Sequence, residues 1–362
     1  MPAISRQISF SILRKVEAGG YASDLLRIET AALDSRDAAL AETIVFGVLR
    51  FQAQLDHLIE HYSGSRRKLD PEVRIALRMG IYQLRYLERI PPHAAVADAV
   101  DLVKRARKTS AAGFVNAVLR KVDRSPVAWP SREVELCCPE WLLARWSARY
   151  GAEAVAGIAR AALEAPETYV RITPAGTRSQ DIGSQSIVPL LRLEPGQTFL
   201  DVCAAPGNKT AQALEVGVHA VACDLHFHRL VQMKTVTPNL VVLDGTRTLP
   251  FSRPFDRILV DAPCSGTGTL GRNPEIKWRL RPSDLEDLQR RQKALLANAL
   301  ALLALDGLLV YSTCSLEPEE NEEVFRAVAP DLIIDTFERL PGRDAGDGFQ
   351  AAVLKSKKAA NG

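Results

Sequence analysis

Thr198-Phe199-Leu200-Asp201-Val202-Cys203-Ala204-Ala205-Pro206-Gly207-Asn208-Lys209-Thr210 reads as a strand, a turn of small residues and the start of a helix. Small side chains at such a turn let main-chain N–H groups approach a ligand at the helix N-terminus. Further apolar runs follow at 219–223, 240–243, 257–260 and 308–312, separated by turn signals and helical stretches. Short apolar runs with helices between them predict parallel strands, hence an α/β Rossmann-like domain with a mostly parallel, doubly wound sheet.

Acids close these runs. Asp224 ends the second, 17 residues after Gly207. An acid about 20 residues past such a turn accepts hydrogen bonds from ribose hydroxyls. Asp244 ends the third run, where its carboxylate would face an adenine amino group, and Asp261 closes the fourth. A helix-capping turn with solvent-facing acids is the plainer alternative, and the whole series of strand-end acids weighs against it. The pattern G-x-x-x-x-G-K-[ST] does not occur, which disfavours a nucleotide triphosphatase.

Two cysteines belong to the same sheet edge. Cys264 lies in Asp261-Ala262-Pro263-Cys264-Ser265-Gly266-Thr267-Gly268, and Cys314 in Tyr311-Ser312-Thr313-Cys314-Ser315-Leu316. Ligands of open α/β sheets sit at the carboxyl ends of the strands, so both thiols are expected to face the crevice. A thiolate there has a use beside a methyl donor. Its addition to carbon 6 of cytosine makes carbon 5 enamine-like and able to take a methyl group. Only a few per cent of a free thiol is ionised at neutral pH, so a locally electropositive site is expected. Asp261 is expected to hold the cytosine edge, and the base must leave any helical stack to enter the pocket. The alternative is that one or both cysteines merely pack the sheet.

The N-terminal 125 residues have a different texture. Ile8, Ile12, Leu13 and Val16 recur at helical spacing, as do Ile44, Val45, Val48, Leu49, Leu55, Leu58 and Ile59. Asp70-Pro71 opens another helix as cap and first-turn proline, Pro91-Pro92 breaks the chain, and 94–104 and 114–122 add two apolar stripes. This predicts an all-α bundle. Ser125-Pro126 and Trp129-Pro130 mark a linker, and 139–164 reads as a further helical piece. The expected organisation is a helical domain over 1–128, a connecting segment over 129–180 and a catalytic domain over 181–362.

Charge supports a nucleic-acid partner. The net charge is only +3, but residues 61–124 hold 14 Lys/Arg against 6 Asp/Glu. The clusters are Arg66-Arg67-Lys68, Lys104-Arg105-Arg107-Lys108 and Arg120-Lys121-Arg124, whereas 317–347 is acidic. A one-sided basic excess is the footprint of a phosphate-binding surface; solvated helix faces are the alternative. The six cysteines include no C-x-x-C pair, so no metal site is expected. No apolar run approaches the length needed to span a bilayer, and the N-terminus lacks a signal-peptide pattern, so a cytoplasmic protein without membrane association is expected.

Five segments resemble the Sun-type RNA cytosine-5 methyltransferases, in which the catalytic domain follows a NusB-like helical domain. They are LDVCAAPGNKT (200–210), DAPCSGTGTL (261–270), RNPEIKW (272–278), YSTCSLEPEENE (311–322) and Asp347-Gly348-Phe349. VFGVLR (45–50), AVADAVDLV (95–103) and FVNAVLR (114–120) extend the resemblance into the helical half. The resemblance implies that Cys314 is the nucleophile and that Cys264 assists product release. It implies S-adenosylmethionine binding by Cys203, Ala204, Ala205, Pro206, Gly207, Asn208 and Lys209 with Asp224, Asp244 and Asp261. It implies that the NusB-like domain over 1–128 binds RNA, of the small ribosomal subunit; a monomer is expected. Three features depart from the family. Asn208 stands where a second glycine is usual, and Arg171-Ile172-Thr173 replaces Arg-x-Asn. The stretches 173–180 and 224–244 are short. These departures motivate a second reading, a non-catalytic RNA-binding assembly or antitermination-like factor with a decayed methyltransferase domain. DNA cytosine methylation is disfavoured, because DNA enzymes use the Pro-Cys cysteine alone.

Overall fold

A computed structural model describes residues 2–66, 68–173 and 176–356. Arg67 of the first basic cluster and the Lys/Ala-rich tail from 357 lie outside the described residues. The chain forms two compact units: 1–165 with 270–279, and 166–269 with 280–362. Residues 129–165 thus cluster with the helices, and 166–180 with the sheet, whereas the sequence places both in one connecting segment. Among the described residues, no helix is long and apolar enough to cross a membrane.

Among its described residues, every regular element of the first unit is a helix. Its longest helices are Ile4–Glu17, Ser35–Arg50, Gln52–Ser63, Pro71–Tyr86 and Pro92–Arg105. Ile12, Ile44, Leu55, Leu58, Ile75, Leu77 and Ile81 are fully buried, so the 3.6-residue periodicity marks the true core face. Pro71 and Pro92 sit in the first turns of their helices, where a missing N–H costs nothing. Pro92 therefore starts a helix as well as ending the preceding segment. Glu140–Tyr150 and Ala152–Ala161 form the expected later helical piece.

The excursion 270–279 serves helix ends. Lys277 Nζ donates to the Arg50 carbonyl at 3.0 Å, and Trp278 Nε1 to that of Leu49 at 2.8 Å. Both carbonyls lie in the last turn of Ser35–Arg50. Arg279 donates to the Val16 carbonyl in the last turn of Ile4–Glu17. Glu275 Oε1 accepts from the Ala22 N–H, the first residue of the helix Ala22–Glu29. Helix termini leave main-chain groups without partners, and the macrodipole favours cations at C-termini and anions at N-termini. RNPEIKW meets that requirement at two helix ends, and Arg279 directly after it at a third.

In the second unit the strands are β1 (Val170–Thr173), β2 (Gly176–Ser179), β3 (Thr198–Asp201), β4 (His219–Asp224), β5 (Leu240–Val242), β6 (Phe255–Asp261), β7 (Leu303–Thr313), β8 (Ile333–Arg339) and β9 (Phe349–Lys355). β1 and β2 form a separate antiparallel hairpin. The other seven make one sheet in the order β5-β4-β3-β6-β7-β9-β8, parallel from β5 to β7 and closed by antiparallel β9 and β8. Helices follow β3, β4 and β6 on the way to the next strand, but none separates β5 from β6 among the described residues. Strand order reverses between β3 and β6, and the crevice for a ligand lies outside the carboxyl ends there.

Candidate active site

Register brings the site residues together. Asp201 stands opposite Ala222 on β4 and Leu259 on β6, so Asp224 and Asp261 each extend two residues beyond it. Asp261 pairs in register with Ser312 on β7. Side chains alternate along strands, so this offset of two keeps Asp224, Asp261 and Ser312 on a common row at the sheet edge. Cys314 follows directly after β7. Cys264 and Asp244 lie beyond the strand ends, on the loops after β6 and β5. Asp244 thus corrects the expectation that it ends its strand.

The turn after β3 is shaped by Gly207, whose φ of +101° only glycine adopts readily. Asn208 is the first residue of the helix Asn208–Leu214 and is not among the positive-φ residues. A left-handed conformation is therefore not required at Asn208, and its replacement of glycine leaves the turn intact. The turn is tied to β4 by Ala204 N–H to the Cys223 carbonyl at 2.7 Å and Ala205 N–H to Asp224 Oδ2 at 3.3 Å. Asp224 also accepts from the His226 N–H at 2.9 Å. Asp244 accepts from the Thr246 N–H at 3.0 Å and the Thr246 hydroxyl at 2.6 Å; these bonds hold its carboxyl below the usual range.

Beneath the turn, Asp201 is 1% exposed. Thr210 Oγ1 donates to its Oδ2 at 2.7 Å, while its Oδ1 has no protein partner. Burial pushes the Asp201 carboxyl up to about 7, against the hydrogen bond from Thr210. Beside it, Lys209 Nζ donates to Asp261 Oδ2 at 2.7 Å, and Ser312 Oγ to Asp261 Oδ1 at 2.8 Å. The Lys209 ammonium also lies 5.1 Å from the centre of the Phe349 ring.

The two thiols meet. Cys264 Sγ and Cys314 Sγ are 3.4 Å apart, within hydrogen-bond range for sulfur. The hydrogen bond with Cys314, then burial, then the charges of Cys314 and Glu320 push the Cys264 thiol well above its ordinary range. Glu320 is thus a carboxylate whose charge acts at Cys264, after that of Cys314. The loop after Cys264 is pinned by Gly268 N–H to the Cys314 carbonyl at 2.8 Å and by Gly348 N–H to the Gly268 carbonyl at 2.8 Å. A Cβ at Gly268 would lie 2.5 Å from the Gly348 oxygen and 2.8 Å from the Cys314 oxygen. This explains Asp347-Gly348-Phe349 as a motif: it braces the Cys264 loop. Sequence reasoning missed Ser265, Ser315 and Glu320 as site residues, although all three lie inside quoted motifs.

In the helical unit, Arg66, Lys68, Lys104, Arg105, Arg107, Arg120, Lys121 and Arg124 are exposed. Lys108 is partly buried and pairs with Asp70 at 2.9 Å. Arg66 pairs with Glu60 at 3.0 Å.

Residues 188–332 match the family model described as 16S rRNA methyltransferase RsmB/F, and residues 3–124 match the NusB family. The chain is 30% identical to a probable ribosomal RNA small subunit methyltransferase B of Bacillus subtilis (strain 168), over 93% of this chain and 91% of the relative. It is 31% identical to a ribosomal RNA small subunit methyltransferase B of Cronobacter sakazakii, over 96% and 97%. That alignment runs over 422 positions, more than the 362 residues here, so the relative carries segments this chain lacks. The solved structure of PH0851 shares the fold at a TM-score of 0.78 and 20% identity, over 98% of this chain and all of the other.

Proposed function

We propose that this chain, which belongs to the 16S rRNA methyltransferase RsmB/F family, methylates carbon 5 of a cytosine through a covalent adduct on Cys314. Membership makes it an S-adenosylmethionine-dependent ribosomal RNA methyltransferase with a NusB-like helical domain. The target atom and the adduct are the proposal. The observation that carries it is the 3.4 Å approach of the two sulfurs at the sheet edge.

The residues fit the cofactor. Ala204, Ala205 and Gly207 leave the turn's main chain open to a ligand. Asp224 and Asp244 bring carboxylate oxygens to the same edge, and Asp201 Oδ1 is buried beside it without a partner. When bound, S-adenosylmethionine supplies an electrophilic methyl group for carbon 5. The chain's own residues prepare that carbon. The Cys314 thiolate adds its electron pair to carbon 6, and the displaced π electrons make carbon 5 nucleophilic. After transfer a base, water if no side chain serves, takes the carbon 5 proton, the C–H electrons re-form carbon 5=carbon 6, and the C–S electrons return to sulfur. Cys264, kept as a thiol, is the hydrogen-bond donor suited to that departing sulfur. Asp261, fixed by Lys209 and Ser312, holds the cytosine edge. The exposed basic residues of the helical domain contact RNA phosphates.

Incubation with labelled S-adenosylmethionine and unmodified small-subunit ribosomal RNA is expected to place label in cytosine; no label there sinks the reading. Cys264→Ala is expected to accumulate a covalent RNA adduct and Cys314→Ala to form none. The reverse pattern would exchange the two roles.

A further inference from the structure

Both cysteines are followed by serine, and both serines converge on one buried carboxylate. Glu320 sits in the 3-10 turn Pro318–Glu320 after β7 and is 0% exposed. Its Oε1 accepts from the Ser265 N–H at 2.8 Å and from Gln292 Nε2 at 3.0 Å. Its Oε2 accepts from the hydroxyls of Ser265 and Ser315. All four donors are neutral. Gln292, from the helix Pro282–Leu300, uses its second N–H on the Pro263 carbonyl at 3.0 Å, the residue before Cys264. The two serine hydroxyls lie 3.0 Å apart, and Thr267 Oγ1 accepts from the Leu316 N–H at 2.8 Å. Glu320 is itself fixed, because the Tyr311 hydroxyl donates to its carbonyl at 2.7 Å.

Such a hub is costly unless every lone pair is used. Packing the sheet does not require it, since β6 and β7 are already joined by their ladder. What the hub adds is the alignment of two loops that carry sulfur. Resting on the reading of Cys314 and Cys264 above, we propose that Glu320 is a positioning residue for the thiol pair. By tying Ser265 and Ser315 to one carboxylate, it holds Cys264 Sγ within hydrogen-bond reach of Cys314 Sγ. Its negative charge also disfavours a second thiolate at Cys264. Cys264 is thereby the donor and Cys314 the sulfur free to attack.

Glu320→Gln keeps the shape, removes the charge and turns one acceptor into a donor facing donors. The readout is alkylation of each cysteine by iodoacetamide across pH 6–9, quantified by peptide mass in the full-length protein. In the wild type, Cys264 is expected to react far more slowly than Cys314. In Glu320→Gln, reaction at Cys264 is expected to rise about tenfold, the effect of one pKa unit on thiolate population, while Cys137 and Cys223 do not change. The kcat for RNA methylation is expected to fall about tenfold with KM unchanged, as for a group that acts on the chemical step. Glu320→Asp, which keeps the charge but shortens the reach, is expected to keep Cys264 slow while losing part of kcat. Ser315→Ala, which removes one donor and leaves the carboxylate, is likewise expected to keep Cys264 slow while losing part of kcat. A folded Glu320→Gln protein with unchanged Cys264 reactivity overturns the proposal. So does a uniform rise at all six cysteines in both Glu320→Gln and Ser315→Ala, which marks a merely structural residue. Alkylation does not depend on RNA. If the wild type fails to methylate cytosine, the assigned reaction falls while the positioning role is still decided.

Discussion

Both units bury charge, but they use it differently. In the helical unit the cations around the excursion 270–279 end on main-chain carbonyls, Lys277 on Arg50, the half-buried Arg279 on Val16 and Arg50 on Gly271, whereas the buried Arg6 and Arg78 pair with Asp98 and Asp56. The partners around the excursion are helix ends and segment backbone. At the sheet edge the buried Glu320 and the half-buried Asp261 end on side chains and a loop N–H group next to sulfur: Glu320 on Ser265 and Ser315, Asp261 on Lys209 and Ser312. A charge that completes a helix terminus stabilises an element. A charge that gathers two loops fixes an angle between reactive groups. Burial alone does not separate the two kinds; the identity of the partner does.

Four experiments test that contrast. The largest effect is expected from Cys314→Ala, which removes the adding sulfur. Methylation should fall at least about a thousandfold while unfolding in urea is nearly unchanged. A large stability loss would mean that the thiol packs the sheet. Next comes Gly268→Ala at the sheet edge. The new Cβ meets main-chain oxygens on two sides, and neither rotates away. A stability cost of about 3 kcal/mol or more is expected, with activity lost in the fraction that stays folded. Gly47→Ala makes the same change in the helical unit. There the Cβ would fall 1.9 Å from the ring of Tyr82, a side chain that shifts more easily than backbone. About 2 kcal/mol is expected, with kcat per folded molecule unchanged. If Gly47→Ala proves the more damaging of the two, the thiol loops are less constrained than the hydrogen bonds indicate.

The smallest effect is a pH dependence. Burial lowers Lys277 from 10.5 to about 8. Between those values the unfolded chain binds the proton and the folded chain does not. This contribution to stability therefore rises as pH increases from about 8 towards 10. The difference in unfolding free energy between the wild type and Lys277→Met isolates it from the other titrating groups. It should move by about 1–2 kcal/mol in favour of the wild type over that range. A flat difference would mean that Lys277 stays charged where it is buried.

The sequence carried the parallel strands because each is short, apolar and bounded by turns; every one of the five expected runs overlaps a strand. β8 and β9 were not anticipated. Ile333–Arg339 is largely exposed or half-buried and carries Asp335, Glu338 and Arg339, and an edge strand of that composition looks like loop. The hairpin of β1 and β2 escaped for the same reason: Ile172 is 86% exposed. At the site, residues with intrinsic chemistry were legible. Cysteines and strand-end acids declare themselves by type. Ser265, Ser315 and Glu320 do not, because a serine beside a cysteine has no distinctive period or spacing. Only their convergence in space gives them meaning. The excursion 270–279 was quoted as a motif without a role, since capping three helices from 220 or more residues away leaves no local trace.

The route of the chain through 270–279 has a consequence for dissecting the protein. A fragment ending at 165 would lack the residues that close three of its own helices, and one beginning at 166 would carry them with nothing to cap. The gene is thus not separable at its midpoint into two independently stable products. A swap of helical domains between relatives would have to exchange this decapeptide along with the first 165 residues.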